Sequence, residues 1–112
     1  MNSAVLPYPP SANRLWRMMR GHMVLSNEAR AYKAAAGLMA RQVFTRPIDG
    51  PVSVTIHVYV NRVNADLDNR GKCAIDSLNG IAFHDDKQIT ELHLYKHLDR
   101  KAPRIEVQVS RL

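Results

Sequence analysis

One cysteine, Cys73, stands alone in 112 residues. An intramolecular disulfide is therefore excluded, and so are the CxxC spacings of a cysteine-based zinc site, which makes a reducing cytoplasmic setting the default expectation. Long apolar runs are also missing. Pro7, Pro9 and Pro10 interrupt Ala4-Val5-Leu6 before it reaches signal-peptide length, and no other stretch is long enough to span a bilayer, so no membrane role is expected. Repeats, low-complexity tracts and linkers are lacking as well. His57, His84, His93 and His97 show no HExxH spacing, which argues against a histidine zinc site. Acidic residues are nearly absent from the first 47 positions, where Glu28 faces seven basic side chains: Arg14, Arg17, Arg20, Arg30, Lys33, Arg41 and Arg46.

What is present points to one folded domain over residues 1–112, with 46% hydrophobic and 23% charged residues. The net charge of +6 is unevenly spread. The basic first half should attract polyanions. Five of the ten acidic groups, by contrast, fall between Asp66 and Asp86: these two with Asp68, Asp76 and Asp85. Carboxylates repel phosphate unless a cation intervenes, so a protein that only binds nucleic acid has little use for such a concentration.

The pattern predicts a short strand at Ala4–Leu6, ended by prolines that cannot donate to a ladder. Arg14–Met18 and His22–Leu25 flank Arg20-Gly21 as a hairpin arm carrying arginines. Ser26 caps a helix over 27–44, in which Tyr32, Ala35, Ala36, Met39 and Val43 recur at helical spacing. Val52, Val54, Ile56, Val58 and Val60 then alternate with polar partners as a strand. A second helix starts at Asp68 or Asn69, either of which can cap it, and runs to Asn79 with Gly80 as its stop. Strands near Ile89–Lys96 and over Arg104–Ser110 close the chain. This βαβαββ order, with the hairpin as an arm, defines an α+β domain with a mixed β-sheet and two main helices packed on it.

The informative stretch is Asp66 to Asp76. With extended backbone at Asp66, Asp66 and Asp68 would point the same way; with a helix beyond, Asp68, Lys72 and Asp76 fall at intervals of four on one helix face. Hard cations such as Mg²⁺ take oxygen ligands, commonly one or two carboxylates with waters and a substrate phosphate, which suits this pair joined by a distant third aspartate. Hydrolysis of a phosphodiester needs an activated water, neutralised phosphoryl oxygens and help for the departing oxygen, all within reach of such an ion. Lys72 would stabilise the charge that develops. Each residue also has a plainer reading: Asp68 as a helix cap, Lys72 and Asp76 as an exposed helix pair, Asp85 and Asp86 as a solvated turn, Tyr8 and Trp16 as packing groups.

In Leu6-Pro7-Tyr8-Pro9-Pro10-Ser11-Ala12-Asn13-Arg14, in Ser26 with Ala31-Tyr32-Lys33, and above all in Asp66-Leu67-Asp68-Asn69 with Lys72, Asp76, Leu78, Gly80 and Asp85-Asp86, the chain resembles the RusA-type Holliday junction resolvases. The likeness covers nearly the whole chain, in order. It implies a homodimeric endonuclease acting on branched DNA, the four-way junction above all, with Mg²⁺ as cofactor and Mn²⁺ able to substitute. The implied metal ligands are Asp66, Asp68 and Asp86, with Lys72 as the functional lysine. Asp76 and Asp85 would support them from behind, Asp85 being the more structural. DNA contacts would fall to Asn13, Arg14, Arg17, Arg20, Arg62 and Lys72. Ala65 stands where family members can carry a basic side chain, which leaves that contact to Arg62 or to a residue elsewhere. A two-fold dimer suits the approximate two-fold symmetry of a four-way junction, which needs paired nicks. A rival of a different class is a module that binds branched DNA without cutting it.

Overall fold

The alternating valines of the longest apolar segment organise the molecule, because each inward residue needs a packed surface opposite it. The structure, a computed structural model, describes residues 2–11 and 16–112. Its elements are strand β1 (Asn2–Leu6), β2 (Trp16–Met19), β3 (His22–Leu25), helix α1 (Asn27–Arg41), β4 (Val52–Val60), α2 (Leu67–Leu78), β5 (Ile89–Leu98) and β6 (Arg104–Arg111), with a single 3-10 turn at Asp86–Gln88 before β5. Four strands form one sheet in the order β1-β6-β4-β5. β4 and β5 run parallel, as the helical crossover between them requires, and the other neighbours are antiparallel. The expected mixed sheet with two helices is what the chain builds.

Val52, Val54, Ile56, Val58 and Val60 of β4 are buried throughout, and Ile105, Val107 and Val109 of β6 beside them likewise. Ala4 and Leu6 of β1 extend the same layer. Onto it pack Tyr32, Ala36 and Ala40 of α1 and Ala74, Ile75 and Leu78 of α2. Phe83, fully buried, bridges to Ile48 and Asn79 and closes the end of the core. The opposite sheet face carries His57 and Tyr59 of β4 against Tyr95 and His97 of β5, with His57 Nδ1 2.9 Å from His97 Nε2.

The arm is a two-stranded hairpin, β2 with β3. Its turn places Arg20 at φ 50° and Gly21 at φ 80°, the pair of left-handed residues that a two-residue hairpin of this twist demands. Arg20 is exposed there. Asn13, Arg14 and the Arg17 side chain lie outside the described residues. α1 stops at Arg41 rather than running to 44, with Val43 and Phe44 both donating to the Ala40 carbonyl as the last turn tightens.

Candidate active site

The end of β4 sets the first part of the site. Past Val60 the chain is fastened to β5: Lys96 Nζ donates to the carbonyls of Val63 (2.8 Å) and Ala65 (3.2 Å). This fixes where α2 begins, and it begins earlier than the local pattern suggests. Asp66, at φ −78° and ψ 110°, is the N-cap, so neither Asp68 nor Asn69 has that role. Asp66 Oδ1 accepts from the Asn69 amide at 3.3 Å, and Oδ2 accepts from the Asn69 side-chain amide. These bonds hold the Asp66 carboxyl below the usual carboxylate range. Because the helix has already started at Leu67, Asp66 and Asp68 are not partners on an extended strand; the expectation that strand alternation aligns them is corrected.

Asp68, Lys72 and Asp76 do share a helix face, and together with Asp86 they line one open cleft of about 340 Å³ floored by Ile75, Ile89, Leu92 and Leu94. Gly71 allows this closeness between α2 and β5, since a Cβ built there would lie 2.8 Å from Leu94 Cδ2. The Asp76 carboxyl is raised first by partial burial and further by Asp86, while Lys72 and Lys33 pull it down. The loop from α2 thus returns Asp86 to the helix that carries Asp68. Asp66 is not among the residues of this wall. Among the described residues no three carboxylate, imidazole or thiol side chains are gathered tightly enough to hold a metal ion as they stand. Asp68 and Asp76 alone are two turns apart, about 12 Å along the helix axis.

Asp86 is held by a neighbour that the sequence reading passed over. Asp85 caps the 3-10 turn, accepting from the Lys87 amide at 2.9 Å, and Gln88 completes a capping box. Gln88 Oε1 accepts from the amides of His84 (2.7 Å) and Asp85 (3.0 Å), while its Nε2 donates to the carbonyls of Ile48 (2.7 Å) and Gly50 (2.8 Å). The signal was there to find, since Asp85-Asp86-Lys87-Gln88 has the spacing of a capping box. Asp85 is consequently a structural cap, and Asp86 is the member of the pair left facing the cleft.

Arg62 lies elsewhere. With Asn61 it lines a second, larger cleft of about 760 Å³ formed with Pro7 to Ser11, α1 and Arg70. Arg70 was not anticipated, because an arginine is seldom buried and nothing local marks one that is.

The sheet-and-helix architecture, with an acidic cleft beside a lysine, has a match among known families. The family model for Endodeoxyribonuclease RusA matches residues 7–110. This chain therefore belongs to the RusA family of endodeoxyribonucleases. Among its relatives, the Crossover junction endodeoxyribonuclease RusA of Escherichia coli strain K12 is 32% identical over 113 residues, spanning 98% of this chain and 94% of the relative. The protein of the same name from Shigella sonnei is 31% identical with the same coverage. That of Enterobacteria phage 82 is 31% identical over 110 residues, 96% of this chain and 92% of the phage protein. No helix among the described residues is long and apolar enough to cross a membrane.

Proposed function

We propose that the chain is a single-domain, cytoplasmic endodeoxyribonuclease of 112 residues that resolves Holliday junctions and other branched DNA by paired phosphodiester hydrolysis, acting as a homodimer with a divalent cation. The reading rests on one observation: Asp68, Lys72 and Asp86, from both ends of the crossover, line the same cleft. An all-carboxylate donor set suits a hard ion, Mg²⁺ by preference with Mn²⁺ able to replace it, and Asp66, Asp68 and Asp86 are the residues that would hold it. When bound, such an ion supplies an activated water and neutralises the phosphoryl oxygens.

The protein's own groups do the rest. Asn69 fixes the Asp66 carboxylate in its ionised form, so that it is ready to receive a cation without a proton having to leave. Lys72 lies one turn from Asp68 in the same wall and offers its ammonium to the charge that builds on the phosphate as the bond breaks. Asp76 shares this wall; partial burial raises its pKa first and the neighbouring Asp86 carboxylate adds to it, a repulsion that a bound cation would relieve. Arginines 14, 17 and 20 of the N-terminal arm, with Asn13 and Arg62, contact backbone phosphates and so orient DNA without reading its sequence.

The test is a labelled four-way junction incubated with Mg²⁺ and either the parent chain or Asp68→Asn. Paired nicks by the parent, none by the variant, and junction binding by the variant that is retained or tightened are the expected results. DNA left intact by the parent with every divalent cation tried would reduce the chain to a branch-binding module.

A further inference from the structure

Arg70 is the only buried charged side chain among the described residues, at 6% exposure. It sits two positions beyond Asp68, turned by roughly 200° around α2, and so faces away from the acidic cleft. There it forms part of the wall of the second cleft with Tyr8, Tyr32 and Arg62. Its guanidinium lies 4.9 Å from the centre of the Tyr8 ring and donates from Nη1 to the Asp66 carbonyl at 3.3 Å. Among the described residues its Nε–H has no hydrogen-bond partner and no ion pair reaches it.

Two more orphans line the same cleft. The buried hydroxyls of Tyr8 and Tyr32 also lack hydrogen-bond partners among the described residues. Burial raises the Tyr32 phenol far above its ordinary pKa, so it stays a neutral O–H donor. Buried charges are ordinarily paired, and buried donors ordinarily find acceptors. Three donors, contributed by the N-terminal segment, α1 and α2, are thus left without an acceptor among the described residues beside this cleft, with Glu28 and the Asp66 carboxylate as the nearby negative charges.

We propose that this cleft is a phosphate-binding subsite for a nucleic-acid strand, its phosphodiester group received by Arg70 and Arg62 with the hydroxyls of Tyr8 and Tyr32. A tetrahedral phosphate presents oxygens in several directions and can meet donors from three walls at once, whereas a planar carboxylate presents two. The apolar surfaces of Pro7 and the Tyr8 ring leave room for the attached sugar. Glu28 also lines the cleft, and its negative charge opposes a doubly charged free phosphate more than a singly charged diester. The inference rests on the nuclease reading only for the source of the strand, and it adds a second contact on the opposite flank of the helix that carries Asp68.

The experiment uses the whole chain in EDTA, where no cleavage enters, and follows the Arg70 Nε–Hε resonance by NMR. Thymidylyl-thymidine should shift that resonance to saturation, its uncharged methylphosphonate analogue should not, and inorganic phosphate should act only at much higher concentration. An unmoved resonance at saturating dinucleotide, or equal shifts from the uncharged analogue, would overturn the proposal. Inorganic phosphate binding as tightly as the dinucleotide would overturn the assignment to nucleic acid. In parallel, Arg62→Gln, at an exposed position where folding is not at stake, should lower the salt slope of DNA binding by roughly one, as expected for one lost phosphate contact; an unchanged slope counts against the subsite. Since none of these measurements needs catalysis, their failure would leave the nicking assay, and the nuclease reading, standing.

Discussion

Replacing Gly71 with alanine sets two effects of opposite sign against each other. In a helix interior the change should stabilise by about 1 kcal/mol, because glycine is the more costly residue to order. The new Cβ, however, would lie 2.8 Å from Leu94 Cδ2 and 3.2 Å from Cδ1, inside the roughly 3.5 to 4.0 Å separation at which carbons attract. α2 cannot retreat, since Ala74 and Leu78 are packed into the core. Relief has to come from Leu94, whose clashing atoms are the tip of a half-buried side chain that can turn aside, so the cost falls at the low end of the about 1 to 3 kcal/mol of overpacking. The two effects therefore nearly cancel, and the net expectation is a change within about 1 kcal/mol of zero. In a Leu94→Ala background the obstruction is gone, and the same Gly71→Ala change should stabilise by up to about 1 kcal/mol. Urea unfolding of the four chains, followed by circular dichroism with the m-values compared, measures the coupling. Equal effects of Gly71→Ala in the two backgrounds, additive to within about 0.5 kcal/mol, would refute the claim that α2 and β5 touch at this point. Because Leu94 also floors the acidic cleft, the single variant should nick junctions more slowly than its stability change accounts for.

Asp66 has two roles that separate by substitution: Asp66→Ala should lower thermal stability through the lost cap, Asp66→Asn much less, while both should abolish nicking. If Asp66→Asn cuts like the parent, Asp66 is a cap and nothing more. Asp99 is held below the usual carboxylate range by Arg104 and by the amides of Ala102 and Lys101. Its folded pKa is thus lower than its unfolded one, so it contributes stability above the unfolded value, about 3.9, and loses it as pH falls through the folded value. Asp99→Asn should therefore give a shallower decline in denaturation midpoint on the acid side, and an unchanged decline would discount the contact. Alanine at Arg14, Arg17 and Arg20 together should weaken junction binding and flatten its salt dependence; a slope equal to the parent's would remove the arm from the DNA interface.

The elements that the sequence announced are those with an uninterrupted period. β4 alternates over nine residues, and the structure buries every second one. The start of α2 was ambiguous because Asp66, Asp68 and Asn69 are all competent caps. The choice is made by Lys96, whose grip on the carbonyls before Asp66 spans 31 and 33 positions and has no local trace. That Asp68, Lys72 and Asp76 share a face followed from helix geometry. That Asp86 joins them depended on how Gln88 ties its loop to Ile48 and Gly50, a matter of packing across the end of the core. Arg70 was invisible for a different reason: its significance comes from burial, which a residue of that type does not advertise.

The strand order also fixes when the sheet can close. β6 follows β5 in the chain, yet it occupies a middle place in the sheet, between β1 and β4. Until β6 is in place β1 has no ladder partner, and the buried layer of Ile105, Val107 and Val109 beside β4 is missing. The sheet therefore closes in a single step, with β6 sliding into its slot between two strands that precede it in the chain.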